Sequence, residues 1–254
     1  MPKIEFDTAH YTLDIVIPVY NEGENISAVL KGIQQSVSTP CRILIGYDQD
    51  DDDTLPVASR FKDSLNIEFV KNLGLGPHGA VTTCFNYSDA SSVIVLPGDD
   101  AYNIPILDEM VEKFQAGCEV VVASRFMPGG CMEGCPILKS FLVRSASYSL
   151  FLMSSIPVRD ASNGFRLFSR KILDSVLIES DEGFTYSLEL LVKCHRLDWE
   201  IGEVPASWFE REKGQSRFKV LRWLPGYLRW YFYGLSTSWL GRSKKTVEMK
   251  NCKT

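Results

Sequence analysis

The 254-residue chain holds only three histidines, no Cys-x-x-Cys pair and no apolar run of the length that crosses a bilayer. The seven cysteines, Cys41, Cys84, Cys118, Cys131, Cys135, Cys194 and Cys252, are scattered and odd in number. That spacing excludes a zinc ribbon or a redox dithiol and predicts reduced thiols in a cytosolic protein. Only Cys131 and Cys135 lie close enough for a metal or disulfide role, and the histidines that could complete a metal set lie elsewhere. A spanning helix needs about 20 apolar residues, so the chain is expected to touch a membrane at most, without crossing it. The opening MPKIEFDTAH has no basic stretch followed by an apolar one and predicts no secretory signal. Positive charge is short overall, with 27 Lys and Arg against 32 Asp and Glu, which argues against bulk nucleic-acid binding. Repeats and flexible linkers are also missing. What remains, 45% hydrophobic and 23% charged residues, is the composition of a core-forming globular protein with one large domain or a domain with an appendage.

Charge nevertheless separates along the chain. Residues 211–250 carry ten Lys and Arg against two Glu, interleaved with Trp223, Tyr227, Trp230, Tyr231, Phe232, Tyr233 and Trp239. Cations mixed with aromatics suit a lipid headgroup boundary, or equally a packing element that closes the domain. Pro225-Gly226 predicts two short amphipathic helices there instead of one.

Upstream, apolar strand patterns at Leu13–Val19, Arg42–Gly46, Ile67–Val70, Ser92–Leu96 and Glu119–Ala123 alternate with helical ones. Ile26, Val29, Leu30 and Ile33 form one helical stripe; Asn103 with Pro105 starts another helix whose buried face is Ile106, Leu107, Met110, Val111 and Phe114. Less regular patterns follow: a helix near 137–155, a loop RDASNGFRLFSR, a helix through Glu189 to Leu197 and a strand near 201–208. The alternation predicts an α/β fold with a mostly parallel sheet covered by helices on both faces. Ligands of such sheets bind beyond the carboxyl ends of the strands. There the chain has Tyr20-Asn21-Glu22, Asp48 and Asp99-Asp100. The loop GYDQDDDDT packs five aspartates into six positions, too many like charges to gather without a cation or solvent. Singly, each feature reads as a helix cap, a solvated loop or a turn. Together at one sheet edge, their hard oxygen donors suit Mg²⁺ or Mn²⁺ carrying a diphosphate.

In chain order, IVIPVYNEGENI, Asp48 in GYDQDDDDT, LPGDDAYNIPIL and ASRFMPGG resemble the signatures of the family-two glycosyltransferases. DASNGFRLFSR, the ELL of TYSLELLVK, EVPASWF and FEREKGQSRFK resemble the dolichyl- or polyprenyl-phosphate sugar synthase branch. The resemblance covers about residues 12–220. It implies a Rossmann-like GT-A domain over 1–216, with a basic aromatic helical extension over 217–254 packed on it or on a membrane surface. It further implies that Pro18, Tyr20, Glu22 and Asp48 hold the nucleoside, and that Asp99 is the second carboxylate of the metal-binding DxD motif. Gly74 to Gly79 spaces glycines like a dinucleotide loop, but Pro77 stands where the helix should open. It is better matched to the Gly-rich loop of these transferases, which assigns Gly79 to the donor site. Arg125, Arg144, Arg166, Arg211 and Arg217 fall where the branch has its phosphate-binding cations. Two departures stand out: Pro97 replaces the first DxD carboxylate, leaving Asp100 as the alternate ligand, and Gln49-Asp50 replaces the usual Gly-Ser.

The expected reaction is inverting, metal-assisted transfer of a sugar from a UDP- or GDP-sugar to a polyprenyl-phosphate acceptor. A phosphate acceptor needs no base. Transfer to a glycan hydroxyl would need one, with Asp160 or Glu189 as candidates. A nucleotide-sugar-binding protein with little turnover is the alternative of a different class. The expected location is cytoplasmic, peripheral on the membrane face or against a membrane-protein partner.

Overall fold

In the computed structural model, which describes residues 11–72, 74, 76–209 and 220–250, the first half is built from alternating strands and helices. These are β1 (Leu13–Pro18), α1 (Ile26–Ser36), β2 (Cys41–Tyr47), α2 (Thr54–Ser59), β3 (Ile67–Lys71), α3 (Gly76–Tyr87) and β4 (Ser92–Val95). A 3₁₀ turn at Ile104–Ile106 leads into α4 (Leu107–Gln115) and β5 (Val120–Ser124). Then follow β6 (Cys131–Glu133), α5 (Ile137–Ser154), β7 (Arg166–Ser169), α6 (Arg170–Ser175), α7 (Thr185–Arg196), β8 (Ile201–Pro205), β9 (Ser207–Phe209) and α8 (Val220–Trp239).

The main sheet has seven strands in the order β3-β2-β1-β4-β7-β5-β8. All neighbours are parallel except β7, which enters antiparallel between β4 and β5. The β-branched strands bury both faces, as parallel sheets require. On β1, Leu13, Ile15 and Ile17 meet Val29, Leu30 and Met110 of α1 and α4, whereas Val16 points to the opposite core with Phe85, Leu190 and Trp230 of α3, α7 and α8. The predicted strand near 201–208 divides at Ala206. Its amide donates to Ser124 O at 2.9 Å and its carbonyl accepts from Cys131 N at 3.0 Å. β8 therefore stays in the main sheet while β9 leaves to pair with β6.

The expectation of two short C-terminal helices is corrected: α8 is one 20-residue helix with Pro225 inside it. Pro225 lacks the amide that would bond back to the carbonyl of residue 221, a local cost that the packing of α8 on α7 and α5 offsets. Gly226 is needed for close packing, since a Cβ there would lie 3.1 Å from Thr185 Cγ2 of α7. α8 packs along α7 and α5, and Trp230 is buried in the shared core. Beyond α8 the chain returns to the domain through a bridge between Val176 and Met249. The expected boundary at 216/217 lies outside the described residues.

At the amino edge of the sheet, the carboxylate of Asp14 is fully buried and accepts from Arg42 Nε at 3.0 Å and Nη2 at 2.8 Å. Removing one member of a buried pair strands the other. Asp14→Ala is expected to lower stability in urea unfolding by about 3 kcal/mol, the lower end for such pairs, because Arg42 keeps Glu68 and Asp89 nearby.

Candidate active site

The hydrogen-bond ladder continues past the strand ends, with Val19 N donating to Gly46 O and Leu96 N to Val16 O, both at 2.9 Å. This delivers the residues that follow β1, β2 and β4 to one edge. A Cβ placed on Gly98 would lie 3.7 Å from Glu22 Cγ, so the turn carrying Asp99 rests against Glu22. Asp48, half-buried, accepts from Asn72 Nδ2 at 2.7 Å, and Asn72 N donates to Tyr47 O at 2.7 Å. Pro18, exposed Tyr20, Glu22, Asp48 and Asp99 thus share the carboxyl edge of the sheet. Gly79 is buried in the opening turns of α3, just past β3.

The aspartate run does work the sequence did not reveal. Asp52 accepts Asn21 N at 3.0 Å, Thr54 Oγ1 accepts Glu22 N at 2.9 Å and Asp53 accepts Gly23 N at 2.9 Å. Three consecutive amides after β1 are satisfied this way, and Asn21 takes a left-handed φ of 54°, a conformation Asn tolerates better than most residues. Asp50 pairs with Lys71. Asp100 is also engaged: one oxygen accepts Asn103 N at 3.1 Å and the other Asn103 Nδ2 at 2.7 Å. Burial pushes its pKa above the usual carboxylate value in spite of those bonds. Among the described residues no three His, Cys, Asp or Glu side chains form a metal-holding group.

The arginines divide. Arg125 follows β5 and donates from Nε at 2.6 Å and Nη2 at 2.9 Å to Asp160, which is fully buried. Asp160 also accepts from Arg125 N, Ser162 and Asn163 N. Burial alone would raise the pKa of Asp160, but the charge and hydrogen bonds of Arg125 outweigh it and hold the group below the usual carboxylate value. The guanidiniums of Arg125 and exposed Arg144 both cover the Phe126 ring, at 5.1 and 4.9 Å from its centroid. These two cations come together on the ring that follows β5. Arg166 does not join them: its side chain turns from β7 into the core, where it donates to the carbonyls of Ser187 and Ala161, and burial pushes its pKa down to about 10. The expectation that Arg166 touches phosphate is corrected, since a side chain with no exposed surface cannot reach a ligand. Arg211 and Arg217 lie outside the described residues.

Glu189 is corrected in the same way. On α7 it is fully buried, accepting Glu179 N at 2.7 Å, Ser180 N at 2.9 Å and Lys193 Nζ at 2.7 Å. Both oxygens anchor the 179–180 loop. Asn72, Asn103 and Thr54 order the site without having been singled out from the sequence; Asn103 was legible only as a helix start. A groove on the outer side of α3, lined by His78, Phe85, Arg170 and Leu173, contains none of these groups.

A mostly parallel sheet of this order, with carboxylates along its carboxyl edge, is the GT-A-like arrangement. The profile of glycosyl transferase family 2 matches residues 14–177, and the chain belongs to that family. It is 25% identical over 228 residues to polyprenol monophosphomannose synthase of Mycolicibacterium smegmatis, covering 82% of this chain and 85% of that one. Dolichol-phosphate mannosyltransferase of Pyrococcus furiosus is 21% identical over 228 residues, covering 86% of this chain and 64% of the relative. Glucosyl-3-phosphoglycerate synthase of Mycobacterium tuberculosis, solved with Mn²⁺, UDP and glucosyl-3-phosphoglycerate, superposes with a TM-score of 0.61 at 16% identity, covering 90% of this chain and 80% of that one. That likeness is one of fold.

Because Asp160 is held below its ordinary pKa, its stabilising contribution is complete above the unfolded value of about 4 and is lost as pH falls through the folded value. Asp160→Asn is therefore expected to unfold about 3 kcal/mol more easily at neutral pH, with the gap to wild type closing in acid. Urea titrations at neutral and acid pH measure it.

Proposed function

We propose that this transferase moves a hexose, with inversion, from a nucleotide-diphospho-sugar to a polyprenyl phosphate at a membrane surface. The acceptor class rests on one observation: Asp160 and Glu189, the carboxylates nominated to deprotonate a hydroxyl, are both fully buried in ion pairs, with Arg125 and Lys193. A hydroxyl acceptor needs a base within reach. A phosphate monoester is already an anion near neutral pH and needs only cations to position it, a role that suits Arg125 and Arg144 beside Phe126.

The lipid part of the acceptor is supported by the surface next to this site. α5 begins just after β6, and its Ile137, Leu138, Phe141 and Leu142 are 89, 71, 66 and 58% exposed. Packed beside it, α8 exposes Leu224, Leu228, Phe232 and Trp239 at helical spacing. Exposed Arg222 near the start of α8 and Arg242, Lys244 and Lys245 beyond its end add cations. An apolar ledge with basic ends suits an anionic bilayer surface. No helix among the described residues is long and apolar enough to cross a membrane.

Breaking the anomeric C–O bond places negative charge on the departing diphosphate and oxocarbenium-like charge on the sugar. Glu22 and Asp48 hold the nucleoside side of the donor against the sheet edge. Arg125 and Arg144 hold the acceptor phosphate so that its oxygen bonds to the anomeric carbon as the diphosphate oxygen leaves from the opposite side. With no second carboxylate engaged as a nucleophile, a single displacement inverts the centre. A divalent ion, Mg²⁺ or Mn²⁺, supplies Lewis-acid stabilisation of the leaving group when bound. Asp99 is the residue that would hold it, a hard oxygen donor of the kind such ions take.

Incubation with labelled UDP- and GDP-hexoses, Mn²⁺ and polyprenyl phosphate is expected to move label into the lipid phase. Label on a saccharide, or nucleotide binding with no transfer, would refute the reading. Asp99→Ala should lower turnover at least about 100-fold, the scale of losing one transition-state electrostatic contact, with the fold intact by circular dichroism. The double substitution Phe141→Glu and Phe232→Glu is expected to abolish flotation with phosphatidylglycerol vesicles.

A further inference from the structure

We infer that the polar junction where β5, β7 and the first turn of α7 meet holds a halide ion, chloride under ordinary conditions. Its ground is a set of buried donors with nothing to donate to. Arg166 Nε, Ser124 Oγ, Tyr186 Oη and Ser187 Oγ each lack a hydrogen-bond partner among the described residues, and none of the four residues is more than 2% exposed. They come from three elements. Arg166 stands opposite Val95 of β4 and Val122 of β5 in the sheet. Ser124 lies two residues past Val122 on β5, so its side chain and that of Arg166 leave the same face. Arg166 Nη1 donates to the Ser187 carbonyl, which brings the first turn of α7 against the guanidinium. The neighbouring Tyr186 ring meets Phe168, two residues along that face of β7, with centroids 6.3 Å apart.

Charge selects the occupant. Arg166 gives its two Nη groups to neutral carbonyls, those of Ser187 and Ala161. Asp160, the carboxylate whose charge reaches it, is bonded through both oxygens to Arg125. Two guanidiniums thus share one carboxylate, and one positive charge is left over in the core, where an uncompensated charge is costly. Burial lowers the Arg166 pKa only to about 10, so that charge is present at neutral pH. A water molecule would satisfy the hydroxyls but leave the charge standing. A monatomic anion answers both needs, since a guanidinium N–H and three hydroxyls can all donate to it. Enclosure keeps Arg166 away from a lipid-linked phosphate, yet a small ion enters through local opening of the fold. Because Arg125 directly follows Ser124, the halide braces the strand end that carries Arg125.

Two measurements test this without any transfer reaction: diffraction at the bromine edge from crystals grown in sodium bromide, and thermal unfolding in sodium chloride or bromide against sodium gluconate of equal ionic strength. An anomalous peak is expected within hydrogen-bonding reach of Arg166 Nε and the Tyr186 hydroxyl. The unfolding midpoint should rise with halide concentration as a single site fills, and gluconate should not reproduce the rise. Tyr186→Phe and Ser124→Ala should each raise the apparent dissociation constant for halide about 10-fold, the scale of one hydrogen bond to a charged group; Arg166→Met should remove the dependence. A midpoint indifferent to halide, a water where the anomalous peak should stand, or a halide dependence unweakened in both Tyr186→Phe and Ser124→Ala would overturn the inference. If Arg166→Met does not fold, the wild type and the two hydroxyl variants decide. Neither measurement involves donor or acceptor, so the halide site stands or falls apart from the transfer reaction.

Discussion

Three amides in a row, those of Asn21, Glu22 and Gly23, find their acceptors on Asp52, Thr54 and Asp53 of the next loop, and the candidate site depends on that interlock. A chain leaving a strand at a sheet edge must satisfy its backbone donors or lose its shape. By taking these donors, the aspartate run keeps the turn after β1 open, with Glu22 beside the Asp99 turn and Asp48 on the adjoining strand. A sequence feature that looks like raw negative charge therefore serves largely as a set of hydrogen-bond acceptors.

The same logic separates groups that face a ligand from groups that hold those groups in place. Asp160 fixes Arg125, Glu189 fixes the loop at 179–180 and Arg166 ties the first turn of α7 to the loop at Ala161. Each is a charged side chain buried at a steep desolvation cost and offset by several hydrogen bonds. In the proposed function, chemistry falls to groups that keep some exposure: Glu22, Asp48, Asp99, Arg125 and Arg144. On that reading, an edge of partly exposed charges stiffened by fully buried ones meets the donor and the acceptor phosphate.

Much of the fold was legible from periodicity. The stripe Ile26, Val29, Leu30 and Ile33 is buried on α1 as read, and the strands after Leu13, Arg42, Ile67, Ser92 and Glu119 fall within a residue or two of their places. The antiparallel entry of β7 was not legible, because Arg166–Ser169 carries no signal of direction and pairs with strands far away in the chain. Nor was the single α8: local proline and glycine propensities argue for a break, whereas packing against α7 uses the glycine, whose missing side chain makes room for Thr185. The apolar ledge of α5 could not be told from a buried helix, since ILKSFLVRSASYSLFLMS spreads apolar and polar residues around its whole circumference and only neighbours decide which side stays bare.

By itself the amino-acid order determined the class of fold, the family and the edge on which the carboxylates gather, because strand and helix periods and the turns between them are local properties. Tertiary structure alone decided which charged residues are free to act. Asp160 and Arg166 find their partners in Arg125 and Ser187, 35 and 21 residues away, while Asp100 and Glu189 find theirs nearby, at Asn103 and at Glu179 and Lys193. In each case burial and hydrogen bonding, which only the folded chain sets, decide what the charge can do.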